Sequence, residues 1–296
     1  MLHATGRVAA LLLCGLMLCA ATAPPDYVNF SVPPVDQVMD LHGDPAGAQL
    51  VIFMAGNQYM VVPALLSAFQ KRNPGVRAIF YETLPPGIVI RQVQTGALRM
   101  GALVVTAKPD VLLLGPRGMR TLRTAGKIAG WHAYASNTLA ILVRAGNPLH
   151  ITTLADLGRS RVRVVMPNPK WEGVAEQVEG AYRKAGGAAL VQTIMKTKLA
   201  GGTTILTRIH HRETPLCLLS GRADAGPLWL SEALYQRRLH GFGVVRIPQQ
   251  ENVHADYEAA ISTSAAHVAA ARAFVSFIQS AQARAIFIAY GFGPPR

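Results

Sequence analysis

The sequence predicts an α/β fold laid out as two successive units, on three observations. The chain has 296 residues, more than one hydrophobic core ordinarily organises and enough for two units of about 100–150 residues each. From Gln49 onward, apolar strand-like runs alternate with helical stretches, the pattern of a mostly parallel sheet covered by helices. The second half of the chain then repeats the same alternation. Half the residues are hydrophobic and 15% are charged, a balance that buries a core and excludes a disordered chain.

Arg7 precedes an apolar run from Val8 to Ala21 that is too short for a bilayer span of about 20 residues. Residues 1–21 therefore read as a secretory signal peptide, which places the mature protein in the periplasm. Residues 22–47 hold five prolines and no period, an irregular extension. A strand is expected over Leu50–Met54, a helix over Pro63–Lys71, a strand over Val76–Tyr81 and a short helix over Ile88–Thr95, closed by Gly96. Next come a strand over Asp110–Leu114, a helix over Arg117–Thr124 stopped at Gly126, and a strand over Thr138–Val143.

The second half opens with a short helix over Leu154–Leu157 and a strand over Arg163–Met166. A helix over Glu172–Ala185 carries the stripe Val174, Ala175, Val178, Ala181, Tyr182 and Ala185, and Gly186-Gly187 ends it. Another helix is expected from Thr203 to Ile209, a strand over Ala223–Trp229 and a helix from Ser231 to Gln236. Late strands over Val244–Ile247 and Ala259–Ser262 lead to closing helices over Ala265–Gln279 and Ala281–Tyr290.

Lys and Arg number 29 against 16 Asp and Glu, a formal net charge of +13 of which Arg7 leaves with the leader. Such an excess concentrates anions near the surface and speeds their capture; it equally describes a solvated basic surface. Nucleic acid is not indicated, since the compartment is wrong and no recognition motif is present. Cys14 and Cys19 lie in the leader, so Cys217 stands alone, with no internal disulfide or thiolate metal site open to it. Gly-x-Ser-x-Gly, P-loop and HExxH patterns are all absent, so no catalytic residue, metal or cofactor is expected.

Polar residues concentrate where strands give way to helices. Gly56-Asn57-Gln58, Glu82 to Gly87, Pro167 to Gly173 and Gly226 to Trp229 share one form: apolar strand, turn residue, polar side chain, helix. Each junction would aim free N–H groups and a positive helix end at the carboxyl edge of the sheet, where such folds bind ligands. Asn57 or Thr83 could equally serve as a helix cap worth about 1 kcal/mol. Trp171 and Trp229 sit at loops and strand ends, where aromatics wall clefts. In Ile209-His210-His211-Arg212-Glu213, a protonatable histidine beside an anion competes with a hydrogen-bonded structural pair.

Three longer segments carry a family resemblance. Ala273–Phe292 (AFVSFIQSAQARAIFIAYGF) resembles the closing helices of type II periplasmic solute-binding proteins, especially their molybdate-binding branch. Asn137–Pro169 is similar to that family's crossover strand, S/T-x-x-D-L turn and following strand, and Leu219–Leu234 to its G-x-A-D-A-G strand. The likeness runs from Gln49 to Phe292 in the right order. It implies a two-lobe α/β fold, each lobe a mostly parallel sheet flanked by helices, joined by a hinge of two crossover strands. Lobe 1 would comprise residues 48–136 plus 258–296, and lobe 2 residues 137–257. The chain departs from the branch in its ligand loops: Gly56-Asn57-Gln58 stands where a small hydroxyl residue is usual, and Thr83 is the one hydroxyl of Thr83-Leu84-Pro85-Pro86-Gly87. Trp229 stands near a place often held by tyrosine, and Leu98–Lys108 is an insertion.

The resemblance implies a monomeric receptor that captures a molybdate-like or other oxyanion and delivers it to the membrane permease of an ABC transporter. The expected ligand-binding residues are Asn57, Gln58, Thr83, Asn168, Trp171, His210 and Trp229. Two alternatives keep the fold: an organic or amphipathic solute held by the tryptophans, Tyr59 and Glu82, or a sensor subunit reporting to a membrane kinase. Glu82 separates the first pair, because a carboxylate facing the cleft would repel an oxyanion.

Overall fold

The computed structural model describes residues 40–170, 172–208 and 212–295. The leader, residues 22–39 of the expected extension, and Trp171, Ile209, His210 and His211 lie outside them. In chain order the first half contributes β1 (Leu41–His42), β2 (Leu50–Ala55), α1 (Val62–Arg72), β3 (Ile79–Leu84) and α2 (Pro86–Thr95). A hairpin of β4 (Leu98–Met100) and β5 (Leu103–Val105) comes next, then β6 (Val111–Leu114), α3 (Pro116–Thr124) and the long β7 (His132–Val143). The second half contributes β8 (Val164–Met166), α4 (Gly173–Gln192), β9 (Thr204–Leu206), α5 (Glu213–Leu219), β10 (Ala225–Trp229), α6 (Leu230–His240) and β11 (Gly243–Arg246). The chain then returns through β12 (His254–Ile261), α7 (Val268–Ile278) and α8 (Ala281–Ala289).

The strands join in the order β1-β3-β2-β6-β12-β7-β10-β8-β9, with β11 also on β7. On one side β3, β2 and β6 run parallel; on the other β10, β8 and β9 do. Between the two parallel sets lie β12 and β7, antiparallel to each other, with a register shift at Tyr257/Glu258. These two long strands are the crossovers the family resemblance implied.

Burial divides the same way. Leu50, Ile52 and Met54 face one side of β2 beneath α1, α7 and α8, with Phe69, Phe274 and Phe287. Val51, Phe53 and Ala55 face the other side with Val89 and Met119 from α2 and α3. The period-2 alternation of a strand covered on both faces explains why β2 reads as one apolar run. The other half builds its core from Leu139, Ile141, Val164, Met166, Val178 and Tyr182, backed on the opposite face by Leu142, Val165, Cys217 and Leu228.

The structure corrects three expectations and upholds a fourth. Thr203–Ile209 is no helix start: Thr204-Ile205-Leu206 forms β9 beside β8, because β-branched residues after the Gly201-Gly202 turn suit a pleated edge. The helix over Glu172–Ala185 does end at Gly186-Gly187, whose backbone is non-helical (φ −151° and 64°); a second helical stretch then runs into a π-helical segment (Thr193–Thr197), and Leu190, Ile194 and Met195 are buried along it. β3 runs on to Leu84, so Glu82 and Thr83 belong to the strand rather than to the loop after it. Residues 41–42 of the extension form β1 on the edge of β3, Leu41 opposite Glu82.

Candidate functional site

In both halves the parallel strands point their carboxyl ends toward helix starts, and the polar junctions lie there. β2 ends at Ala55 and passes through a one-turn 3₁₀ helix, Gly56–Gln58, before α1 begins at Val62. Gln58 is 1% exposed and structural: its amide oxygen accepts from the Tyr134 hydroxyl, and its Nε2 donates to the Leu113 carbonyl at 3.5 Å. Asn57 reaches a neighbouring tyrosine. Its Nδ2 donates to the Tyr257 hydroxyl, and its buried Oδ1 has no hydrogen-bond partner among the described residues.

Tyr257 links this loop to the crossovers. Its hydroxyl also receives Asn137 Nδ2 at 3.4 Å, and Asn137 donates to Ser231 Oγ at 2.9 Å in the first turn of α6. Asn57, Tyr257, Asn137 and Ser231 thus form a chain of hydrogen bonds from the first loop, across β12 and β7, to a helix start in the second half. Burial and the neighbouring Glu232 charge push the Tyr257 phenol up, so it stays protonated.

The centre of the site is Arg212, which precedes α5 and is 1% exposed. Its Nη1 donates to Asp40 Oδ1 at 2.7 Å, and its Nη2 to the Gly56 carbonyl at 2.6 Å and the Thr83 carbonyl at 3.3 Å. The guanidinium carbon lies 4.4 Å from the centre of the Tyr59 ring, within cation–π range. Tyr59 in turn packs edge-on against Tyr235 of α6, with ring centroids 5.6 Å apart. Gly56 makes this packing possible. A Cβ there would lie 2.8 Å from the Thr83 carbonyl oxygen and 3.1 Å from Arg212 Nη2.

Thr83 is fully buried beside the guanidinium, and its hydroxyl donates to the same Asp40 Oδ1 at 3.2 Å. Glu82, one residue earlier, faces the opposite side of β3 with Phe80 and Leu84, toward Gln92 of α2. Its side chain is fully buried, and burial pushes its carboxyl up to about 8, so it is neutral over much of the working range. Glu82 therefore presents no carboxylate to the site.

The remaining expected residues lie apart. Asn168 forms a turn after β8: its N–H donates to Thr207 Oγ1 at 3.1 Å, its Nδ2 to the Thr207 carbonyl at 3.2 Å, and its Oδ1 accepts from Lys170 N at 3.0 Å. Trp229 is 5% exposed and packs into the core with Leu139 and Ile141, rather than walling a cleft. Trp171 and His210 lie outside the described residues. Among the expected residues, Thr83 lies at the buried cation, and Asn57 follows Gly56, whose carbonyl accepts from it.

The junction pattern in the sequence does not single out Arg212, Asp40, Asn137, Ser231 or Tyr257. Arg212 carried a signal in hindsight, as a cation just ahead of a helix beside two histidines. Asp40 carried none, since it sits in a proline-rich stretch without period. Chemically, the arrangement offers a planar array of donors with a fixed positive charge, an amide NH2 of whose two N–H groups one goes to Tyr257, and a hydroxyl. Those groups suit an anion with several oxygens.

Comparisons with known proteins agree with this reading of the fold. The bacterial extracellular solute-binding protein family matches the chain over residues 50–293. The molybdate-binding protein ModA of Mycobacterium tuberculosis is 26% identical over 98% of this chain and 97% of its own length. Among solved structures, the sulfate-binding protein SubI from Mycobacterium tuberculosis superposes with a TM-score of 0.69 at 22% identity, covering 83% of this chain and 86% of that one. The substrate-binding protein of an ABC transporter from Agrobacterium tumefaciens gives 0.67 at 13% identity, covering 84% and 80%.

Proposed function

The chain belongs to the bacterial extracellular solute-binding proteins, and on that premise we propose that it captures a small tetrahedral oxyanion, of the molybdate or sulfate kind, for a membrane ABC transporter. The observation that carries the ligand class is the fully buried Arg212 guanidinium, brought from the second half of the chain onto the Gly56 and Thr83 carbonyls of the first. A buried guanidinium is stable only with negative or strongly accepting partners. Relatives that bind molybdate and sulfate support the same class, and a relative serving an ABC transporter supports delivery to a permease.

In this reading β7 and β12 are the hinge, residues 48–136 plus 258–296 form lobe 1, and residues 137–257 form lobe 2. The separate core clusters on either side of the crossovers support those boundaries. Closure brings Arg212 and the Ser231 end of α6 onto Asn57 and Thr83. The protein is exported by its leader, works as a monomer outside the cytoplasm, and does no chemistry on its solute. Orientation of Glu82 away from Arg212, and of Trp229 into the core, favours the oxyanion over an organic solute.

A thermal-shift panel tests the ligand class. A ligand at 100 times its Kd stabilises the folded protein by about 2.7 kcal/mol. Stabilisation by molybdate, tungstate or sulfate is the expected result. No stabilisation by any of these oxyanions or by phosphate would refute it.

A further inference from the structure

The geometry points to Asp40 as a tethered carboxylate that holds the ligand's place, so that a solute enters the site by displacing it. This inference rests on the oxyanion reading above and deepens it. A single oxygen, Asp40 Oδ1, accepts from both Arg212 Nη1 at 2.7 Å and Thr83 Oγ1 at 3.2 Å. Those two donors are groups an oxyanion would take. A carboxylate oxygen presents the same charge and lone pairs to them as an oxyanion oxygen does.

Asp40 is delivered there by construction. Its carbonyl accepts from Thr83 N at 2.9 Å, and the next two residues pair with β3 as β1. His42 stacks on Tyr81 with ring centroids 4.5 Å apart and planes 7° from parallel. The segment then turns at Gly43, φ +86°, where a Cβ would lie 2.4 Å from the Ile79 carbonyl oxygen. These anchors make β1 the edge strand of the sheet beside β3. They fix one edge segment that carries a carboxylate against the guanidinium.

Specificity is affected in two ways. An oxyanion seated on Arg212 with Asp40 still in place would set two negative charges side by side, so entry requires the carboxylate to leave. A monocarboxylate gains nothing by that exchange, since it replaces like with like, whereas a dianion gains charge on the guanidinium. Asp40 thereby filters against monoanions and lowers apparent affinity by the fraction of molecules in which it holds the site.

The test compares wild type with D40N and D40A by calorimetric titration with molybdate and sulfate, and by thermal shift with acetate. If Asp40 holds the site in about nine molecules of ten, its removal tightens oxyanion binding about ten-fold. Acetate should also stabilise D40A, by occupying the vacated place, and leave wild type unmoved. Oxyanion affinity in D40N equal to or weaker than wild type, with wild type binding normally, overturns the inference and leaves the receptor reading intact. A D40A protein whose folded signal returns with neither molybdate nor acetate also overturns it. Absence of oxyanion binding in all three proteins refutes the receptor reading itself.

Discussion

The Arg212 guanidinium and the Asp40 carboxylate, 172 residues apart in sequence, meet at 2.7 Å with both side chains out of solvent. The pair joins the segment before the first long strand to the loop before α5, and with the Gly56 and Thr83 carbonyls it closes one half of the fold on the other. Removing one partner of such a pair strands the other charge, so each residue is exposed to mutation differently.

Arg212→Met leaves Asp40 buried without its cation, a cost of about 3–5 kcal/mol in stability. It should also remove oxyanion binding, by two orders of magnitude or more if the guanidinium bonds the ligand directly, at about 1.4 kcal/mol per decade. Arg212→Lys restores the charge without the planar fork and should recover stability more than affinity. Denaturant unfolding and calorimetric titration on the same preparations check both halves of the expectation.

Asn57→Ala removes the hydrogen bond to Tyr257 and the second N–H of the amide. Unliganded stability should fall by about 1 kcal/mol, the net worth of one such bond, while oxyanion affinity falls more steeply. Unchanged affinity would make the first loop a structural turn only.

Gly56→Ala places a methyl carbon 2.8 Å from the Thr83 carbonyl and 3.1 Å from Arg212 Nη2. The closer contact is with backbone, so the pairing of this loop with β3 must shift and the guanidinium with it, at about 1–3 kcal/mol. Urea unfolding should show that loss, and small-angle scattering of the unliganded variant should show a more open particle than wild type.

Glu82 gives the fold a pH signature. Its folded-state carboxyl titrates at about 8 against an ordinary value of 4.5, so between those values the unfolded chain has lost a proton that the native protein keeps. The stabilising contribution is complete below the ordinary value and disappears as pH rises through about 8, at a slope of up to about 1.4 kcal/mol per pH unit. Glu82→Gln should flatten the profile over that window and make the protein more stable than wild type near its upper end. An unaltered profile in thermal unfolding from about pH 5 to about pH 9, a range spanning most of that window, would contradict the assignment.

Most of the architecture was legible because local pattern and tertiary role agreed. Leu50–Ala55 alternates faces beneath helices on both sides, and Gly96 closes its helix in left-handed conformation. β9 was missed because a strand of three residues, Thr204–Leu206, carries too little period to outweigh a helical reading of Thr203–Ile209. The site was legible only in part. Asn57 and Thr83 sit at junctions whose chemistry the chain displays, but Gln58 at the same junction turns inward to Tyr134. Asp40, Asn137 and Tyr257 reach the site through register and long-range packing, which no local pattern encodes.

The most direct test of the account is calorimetric titration of the purified protein with molybdate and with sulfate, run beside Arg212→Met. The account predicts saturable binding of at least one of these dianions to wild type and its loss in the variant. Binding of neither, or binding that Arg212→Met leaves unchanged, would contradict it.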